Sequence, residues 1–155
     1  MTNEELMRLA IKLAIENIDN CGGPFGAVIA RNGEIIATGT NRVTANNDPT
    51  AHAEVSAIRA AGQKLGTFDL SGCDIYSSCE PCPMCLSAIY WAHIDRLYYA
   101  ATKTDAADAG FDDDFIYKEL SLNPSQRRLY TERFMGADSL AVFEKWKNCD
   151  GKVEY

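Results

Sequence analysis

The dipeptide Asn32-Gly33 stands between two short runs rich in apolar residues, Ala27 to Ala30 and Glu34 to Gly39. Both residues tolerate the positive φ that a type I′ turn demands, so the stretch predicts a β-hairpin. Ahead of it, Thr2 followed three residues later by Glu5 has the form of a capping box. Leu6, Leu9, Ala10, Leu13 and Ala14 then keep helical spacing, and Cys21-Gly22-Gly23-Pro24 breaks the helix. Behind the hairpin, Asn46 to Pro49 has loop chemistry. A second helix is expected from Thr50 or Ala51, with Val55, Ile58 and Ala61 buried. Asp74 to Ser78 and Arg96 to Ala101 read as strands. Between them a helix starts near Pro81 and Pro83 and runs through Met84, Leu86, Ile89 and Tyr90. Ala137 to Lys147 is helical in pattern, with Leu140, Phe143 and Trp146 on one face, whereas Leu120 to Thr131 fits neither period. Helix, hairpin, helix, strand, helix, strand and closing helices together imply an α/β layered domain with one mixed sheet and a parallel component.

The chain has 155 residues, with no repeat and no Pro/Ser-rich linker, so a single domain over 1–155 is expected. Against 22 acidic residues stand 15 basic ones, a formal net charge of −7. That balance argues against a dedicated nucleic-acid binder, although net charge does not exclude a local basic patch. No apolar run approaches the roughly 20 residues needed to span a bilayer. The first residues carry Glu4 and Glu5 where a signal peptide would be basic, and Val153-Glu154-Tyr155 matches no lipidation signal. A cytoplasmic location is the expectation, with the six cysteines as thiols.

Three of those cysteines, Cys79, Cys82 and Cys85, fall within seven residues, a metal-like spacing. With His52-Ala53-Glu54 upstream, Pro81-Cys82-Pro83-Met84-Cys85 completes H-x-E…P-C-x-x-C, an established signature of zinc deaminases. One imidazole and two thiolates suit zinc. Cys82 and Cys85 lie one helical turn apart at a helix start, where the dipole favours thiolate. Three protein ligands leave a fourth position for water, the mark of a catalytic site. If His52 and Glu54 share the first turn of a helix, they point apart by roughly 200°. Glu54 is then free to move protons rather than bind metal. The other reading is a closed Cys₃His structural site that recruits Cys79 and leaves Glu54 without a role. Cys21, Cys73 and Cys149 read as ordinary thiols, and His93 as a residue near a helix end.

The chain from Pro24 to Tyr117 resembles the cytidine deaminase-like zinc hydrolases, and within them the small bacterial guanine deaminases. The resemblance rests on G-P-F-G-A-V-I-A (23–30), T-N-R-V (40–43), D-P-T-A-H-A-E (48–54), S-C-E-P-C-P-M-C (78–85), A-I-Y-W-A (88–92) and G-F-D-D (110–113). Tyr90-Trp91, the F-D-D segment and Tyr155 point to guanine. The resemblance implies a three-layer α/β/α fold around a five-stranded mixed sheet, the fifth strand falling near Arg133 to Met135. It implies hydrolytic deamination of guanine to xanthine and ammonia, with one zinc per subunit on His52, Cys82 and Cys85. Glu54 would shuttle protons and Asp113 would be a second shuttle, Asp112 and Asp114 being one register step away. Asn41, Phe25, Trp91, Tyr155 and Ala53 would contact the base. The ordinary alternatives are a turn residue for Asn41, core packing for Phe25 and Trp91 and a frayed end for Tyr155. A homodimer is also implied, in which the segment from about 120 to 155 crosses to cap the partner's pocket. The nearest rival is a tRNA adenosine deaminase, for which the acidic stretch Asp105 to Asp114 is a poor approach for phosphates. Another nucleobase deaminase and a non-catalytic zinc module are the remaining alternatives.

Overall fold

The computed structural model describes residues 1–155. It divides into two compact units, Met1–Asp114 and Phe115–Tyr155.

In the first unit, α1 (Asn3–Asp19) opens with the expected capping box between Thr2 and Glu5. Strands β1 (Gly26–Arg31) and β2 (Glu34–Thr40) form the hairpin, pairing Arg31 with Glu34. Asn32 and Gly33 both take positive φ, 52° and 77°, as the type I′ turn requires. A short helix α2 (Val43–Asn46) leads to α3 (Ala53–Leu65), β3 (Asp74–Cys79), α4 (Pro83–Trp91), β4 (Arg96–Ala101) and α5 (Lys103–Asp108). The sheet order is β2-β1-β3-β4. Pairing is antiparallel from β2 through β1 to β3 and parallel between β3 and β4, with α4 as the crossover. This is the mixed sheet that the element order implies.

Alternation along the strands builds two apolar layers. Ala27, Ile29 and Ile75 pack with Ala53, Ala57, Ala61 and Ile89 of α3 and α4. Val28, Ala30 and Tyr76 pack with Leu6 and Ala10 of α1. The buried stripe of α3 is therefore Ala53, Ala57 and Ala61, while Val55 and Ile58 are only half-buried. Small residues let α3 lie directly on the sheet. A Cβ at Gly39 would collide with the Ala53 carbonyl and the Ala57 amide. That contact fixes the start of α3 against β2. No helix is long and apolar enough to cross a membrane.

The second unit contains most of α6 (Asp114–Leu120), a 3₁₀ turn at Pro124–Gln126 and α7 (Gly136–Lys147). The Arg128 guanidinium lies 5.4 Å from the centre of the Phe115 ring, and the Arg128 amide donates to Glu119 Oε2 at 2.8 Å. The predicted apolar face of α7 exists, but Leu140, Phe143 and Trp146 are exposed within the chain. The sheet has four strands, not the five that the resemblance implies. Arg133 to Met135 pairs with no strand, and all three residues are exposed. Met135 turns into the left-handed region, φ 54°, and caps α7, so no strand runs through it.

Candidate active site

Two helix starts meet at the site. Asp48 accepts hydrogen bonds at Oδ1 from the Thr50 amide at 2.9 Å and the Thr50 hydroxyl at 2.6 Å. This turn delays the expected helix, so α3 begins at Ala53 and His52 is its N-cap, in extended conformation. His52 and Glu54 thus do not share a first helical turn. On α4, Cys82 is the N-cap and Pro83 follows at the first helical position, where its missing N–H costs nothing. The Cys82 sulfur accepts from the Cys85 amide at 3.5 Å.

His52 Nδ1 lies 3.5 Å from both Cys82 Sγ and Cys85 Sγ. All three donor atoms lie within 4.8 Å of one another. Metal–ligand bonds of about 2.0–2.3 Å in a tetrahedron put donor atoms roughly 3.5 Å apart, so the set fits zinc. Cys82 is pushed down to about 4 by the hydrogen bond from the Cys85 thiol, aided by His52. Cys85 is correspondingly held well above the ordinary thiol range. The hydrogen bond to Cys82 raises the His52 imidazole. Cys79 stands outside this cluster: its thiol donates to the Thr102 carbonyl at 3.6 Å and burial pushes it up to about 11. The donor set is the open one of three, not a closed Cys₃His site.

Glu54, 6% exposed, is not part of the donor set. Burial raises its carboxyl above the ordinary range, against hydrogen bonds that lower it. Its Oε1 accepts from the Ser77 hydroxyl at 2.9 Å.

The cluster opens into a cavity of about 550 Å³. Its walls include Phe25, Asn41, Asp113 and Phe111 along with His52, Glu54 and Cys82. Phe25 and Phe111 meet edge to face, ring centres 5.0 Å apart. The Asn41 Oδ1 accepts from the Val43 amide at 3.2 Å, which leaves its Nδ2 to donate elsewhere. Glu54, Glu80, Asp112 and Asp113 are all on the lining, and no lysine or arginine is. Asp114 is not on it, and its amide donates to Asp112 Oδ1 at 3.0 Å. Partial burial raises the Asp113 carboxyl.

The other expected residues fall elsewhere. Ala53 is buried at the first turn of α3 rather than on the lining. Trp91 is exposed and lines a separate groove with Ile58, Phe68 and Leu70. Tyr155 is exposed and belongs to the second unit. Ser77 and Asn17 were not among the expected residues. Each is a polar side chain on an otherwise apolar face, and that pattern is the signal that could have found them.

The family model described as the cytidine and deoxycytidylate deaminase zinc-binding region matches residues 1–101. The chain belongs to this zinc deaminase family. A curated guanine deaminase of Bacillus subtilis (strain 168) is 51% identical over 156 residues, covering all of both chains. The X-ray structure of guanine deaminase from Bacillus subtilis superposes with a TM-score of 0.97 at 51% identity, covering 100% of this chain and 99% of that one. A tRNA-specific adenosine deaminase of Agrobacterium fabrum is 47% identical, but over 89 residues, 56% of this chain and 59% of that protein. Within the family, this chain is therefore similar to a guanine deaminase along its whole length, including residues 102–155.

Proposed function

We propose that this chain is a zinc-dependent guanine deaminase, converting guanine and water to xanthine and ammonia. The observation that carries the reading is the full-length match to a guanine deaminase, joined to a zinc-type donor set on an acidic cavity that Asn41 also lines. His52, Cys82 and Cys85 hold the metal, one per subunit. Zinc bound there supplies acidified water at neutral pH, its pKa brought to roughly 7.

The chain's own groups do the rest. Glu54 accepts the proton of the attacking water and returns it at ring N3, which makes C2 electrophilic. The amine on C2 needs a further proton to leave as ammonia: Asp113 delivers it as the C–N bond breaks, and the proton lost by the C2 hydroxyl on forming the carbonyl restores it. Each transfer is worth about 10²–10⁴ in rate. The Val43 amide bonded to its oxygen orients the Asn41 side chain, which offers Nδ2 to an acceptor on the base edge. Phe25, buttressed by Phe111, provides the aromatic wall against which a planar base packs.

The protein acts in the cytoplasm as a homodimer. The C-terminal segment, from about residue 120, caps the pocket of a partner copy with Tyr155. Support comes from each unit separately. Leu129, Tyr130 and Phe134 in one unit, and Ile15, Ile18 and Trp91 in the other, expose large apolar surfaces within a single chain.

The rival substrate, an adenosine in a tRNA stem-loop, must bring phosphates to a cavity lined by four carboxylates and no lysine or arginine. The deciding experiment offers guanine, adenine, cytosine, guanosine and an adenosine-containing anticodon stem-loop to the zinc-loaded protein. The expected result is the highest kcat/KM for guanine. Preference for the stem-loop or for cytosine rejects the substrate assignment.

A further inference from the structure

We propose that Ser77 is a positioning residue that aims the Glu54 carboxylate for proton transfer. The proposal rests on the reading of Glu54 as the proton carrier.

Ser77 lies in the middle of the sheet, paired with Ala27 of β1 and Tyr99 of β4. The strand pleat puts it on the same face as Ile75, which with Ala27 and Ile29 forms the apolar layer under α3. A hydroxyl in that row, 1% exposed, needs a partner within the protein. Its partner is Glu54, through the 2.9 Å bond from Ser77 Oγ to Oε1. Ser77 is not on the cavity lining, whereas Glu54 is. It therefore acts through Glu54 and not on the base.

A glutamate side chain has several rotatable bonds, and a buried one without a fixed partner turns among rotamers. The Glu54 backbone amide and the Cys85 thiol also bond this carboxylate, and the Ser77 bond ties Oε1 to the rigid strand β3, which fixes the plane of the group. The strand supplies the rigid support on which such a group must sit.

The test compares Ser77→Ala with Ser77→Thr in the zinc-loaded, full-length protein. In Ser77→Ala, kcat for guanine should fall on the order of 10- to 100-fold, the scale of a misaimed reacting group. KM should stay within about twofold, because base binding is not touched. Zinc should remain at one per subunit, and Ser77→Thr, which keeps the hydroxyl, should recover most of kcat. A crystal structure of Ser77→Ala should show the Glu54 carboxylate turned from its original position. An unchanged kcat, a loss of zinc, a rise in KM with kcat intact, or an unmoved Glu54 overturns the proposal. If the unaltered protein ignores guanine while Glu54 still turns in Ser77→Ala, the substrate assignment falls and the positioning role stands.

Discussion

Asn17 Nδ2 donates to the backbone carbonyl of Asn41 at 2.8 Å. The same nitrogen donates to the Gly23 carbonyl, also at 2.8 Å, and Arg42 Nη1 lies 3.3 Å from Asn17 Oδ1. One buried amide on α1 thus ties together the loop and the strand end that carry two walls of the cavity. Asn17→Ala leaves two inward carbonyls short of a donor, at a cost of about 1–3 kcal/mol. Urea unfolding should register that loss. The KM for guanine should rise several-fold more than kcat falls, because the Asn41 backbone loses its anchor while Glu54 and the donor cluster keep theirs.

Asp113 and its neighbours separate by place. Asp113 and Asp112 line the cavity, and Asp112 is engaged by the Asp114 amide. Asp113→Asn should lower kcat by about 10²–10⁴, the usual value of a proton shuttle. Asp112→Asn and Asp114→Asn should each stay far milder. Steady-state kinetics of the three variants fix the register that sequence alone leaves open.

Asp48 organises the turn that sets His52 at the helix cap. Hydrogen bonds from Thr50 hold its carboxyl below the ordinary value of 3.8. A carboxyl depressed in the folded state contributes stability above its unfolded pKa, and that contribution is lost as pH falls through the folded value. The window therefore lies below about pH 4. Asp48→Asn should be less stable than the parent at neutral pH and should lose less on acidification. Acid titrations followed by circular dichroism compare the two.

If Tyr155 caps a partner's pocket, two inactive variants should rescue each other. Glu54→Gln lacks the proton carrier, and Tyr155→Ala lacks the cap. In a mixed dimer, the site with its own Glu54 receives the intact Tyr155 of the other chain. Refolding the variants together should restore guanine turnover that neither shows alone. Strict absence of complementation argues for capping within one chain.

Local chemistry made much of this legible. Asn32-Gly33 marks the hairpin, Thr2 and Glu5 the first cap, and Pro81 and Pro83 the neighbourhood in which α4 starts, because each depends on residues close in sequence. The donor cluster was legible because metal geometry restricts residue type and spacing. The start of α3 was misplaced because the Asp48–Thr50 turn competes with the helix for the same residues. The fifth strand failed because its β-pattern is three residues long and ends at a left-handed methionine. Ser77 and Asn17 escaped notice for another reason. Their partners, Glu54 and Asn41, are distant in sequence, and only the folded chain joins them.

The most direct test is guanine turnover by zinc-loaded protein beside its Glu54→Gln variant, with zinc content and product measured on both. The account predicts xanthine and ammonia in equal amounts from the parent. It predicts turnover lower by at least about 10² in the variant, with zinc and fold retained. Undiminished turnover in Glu54→Gln, or a parent that leaves guanine untouched with zinc bound, would contradict it.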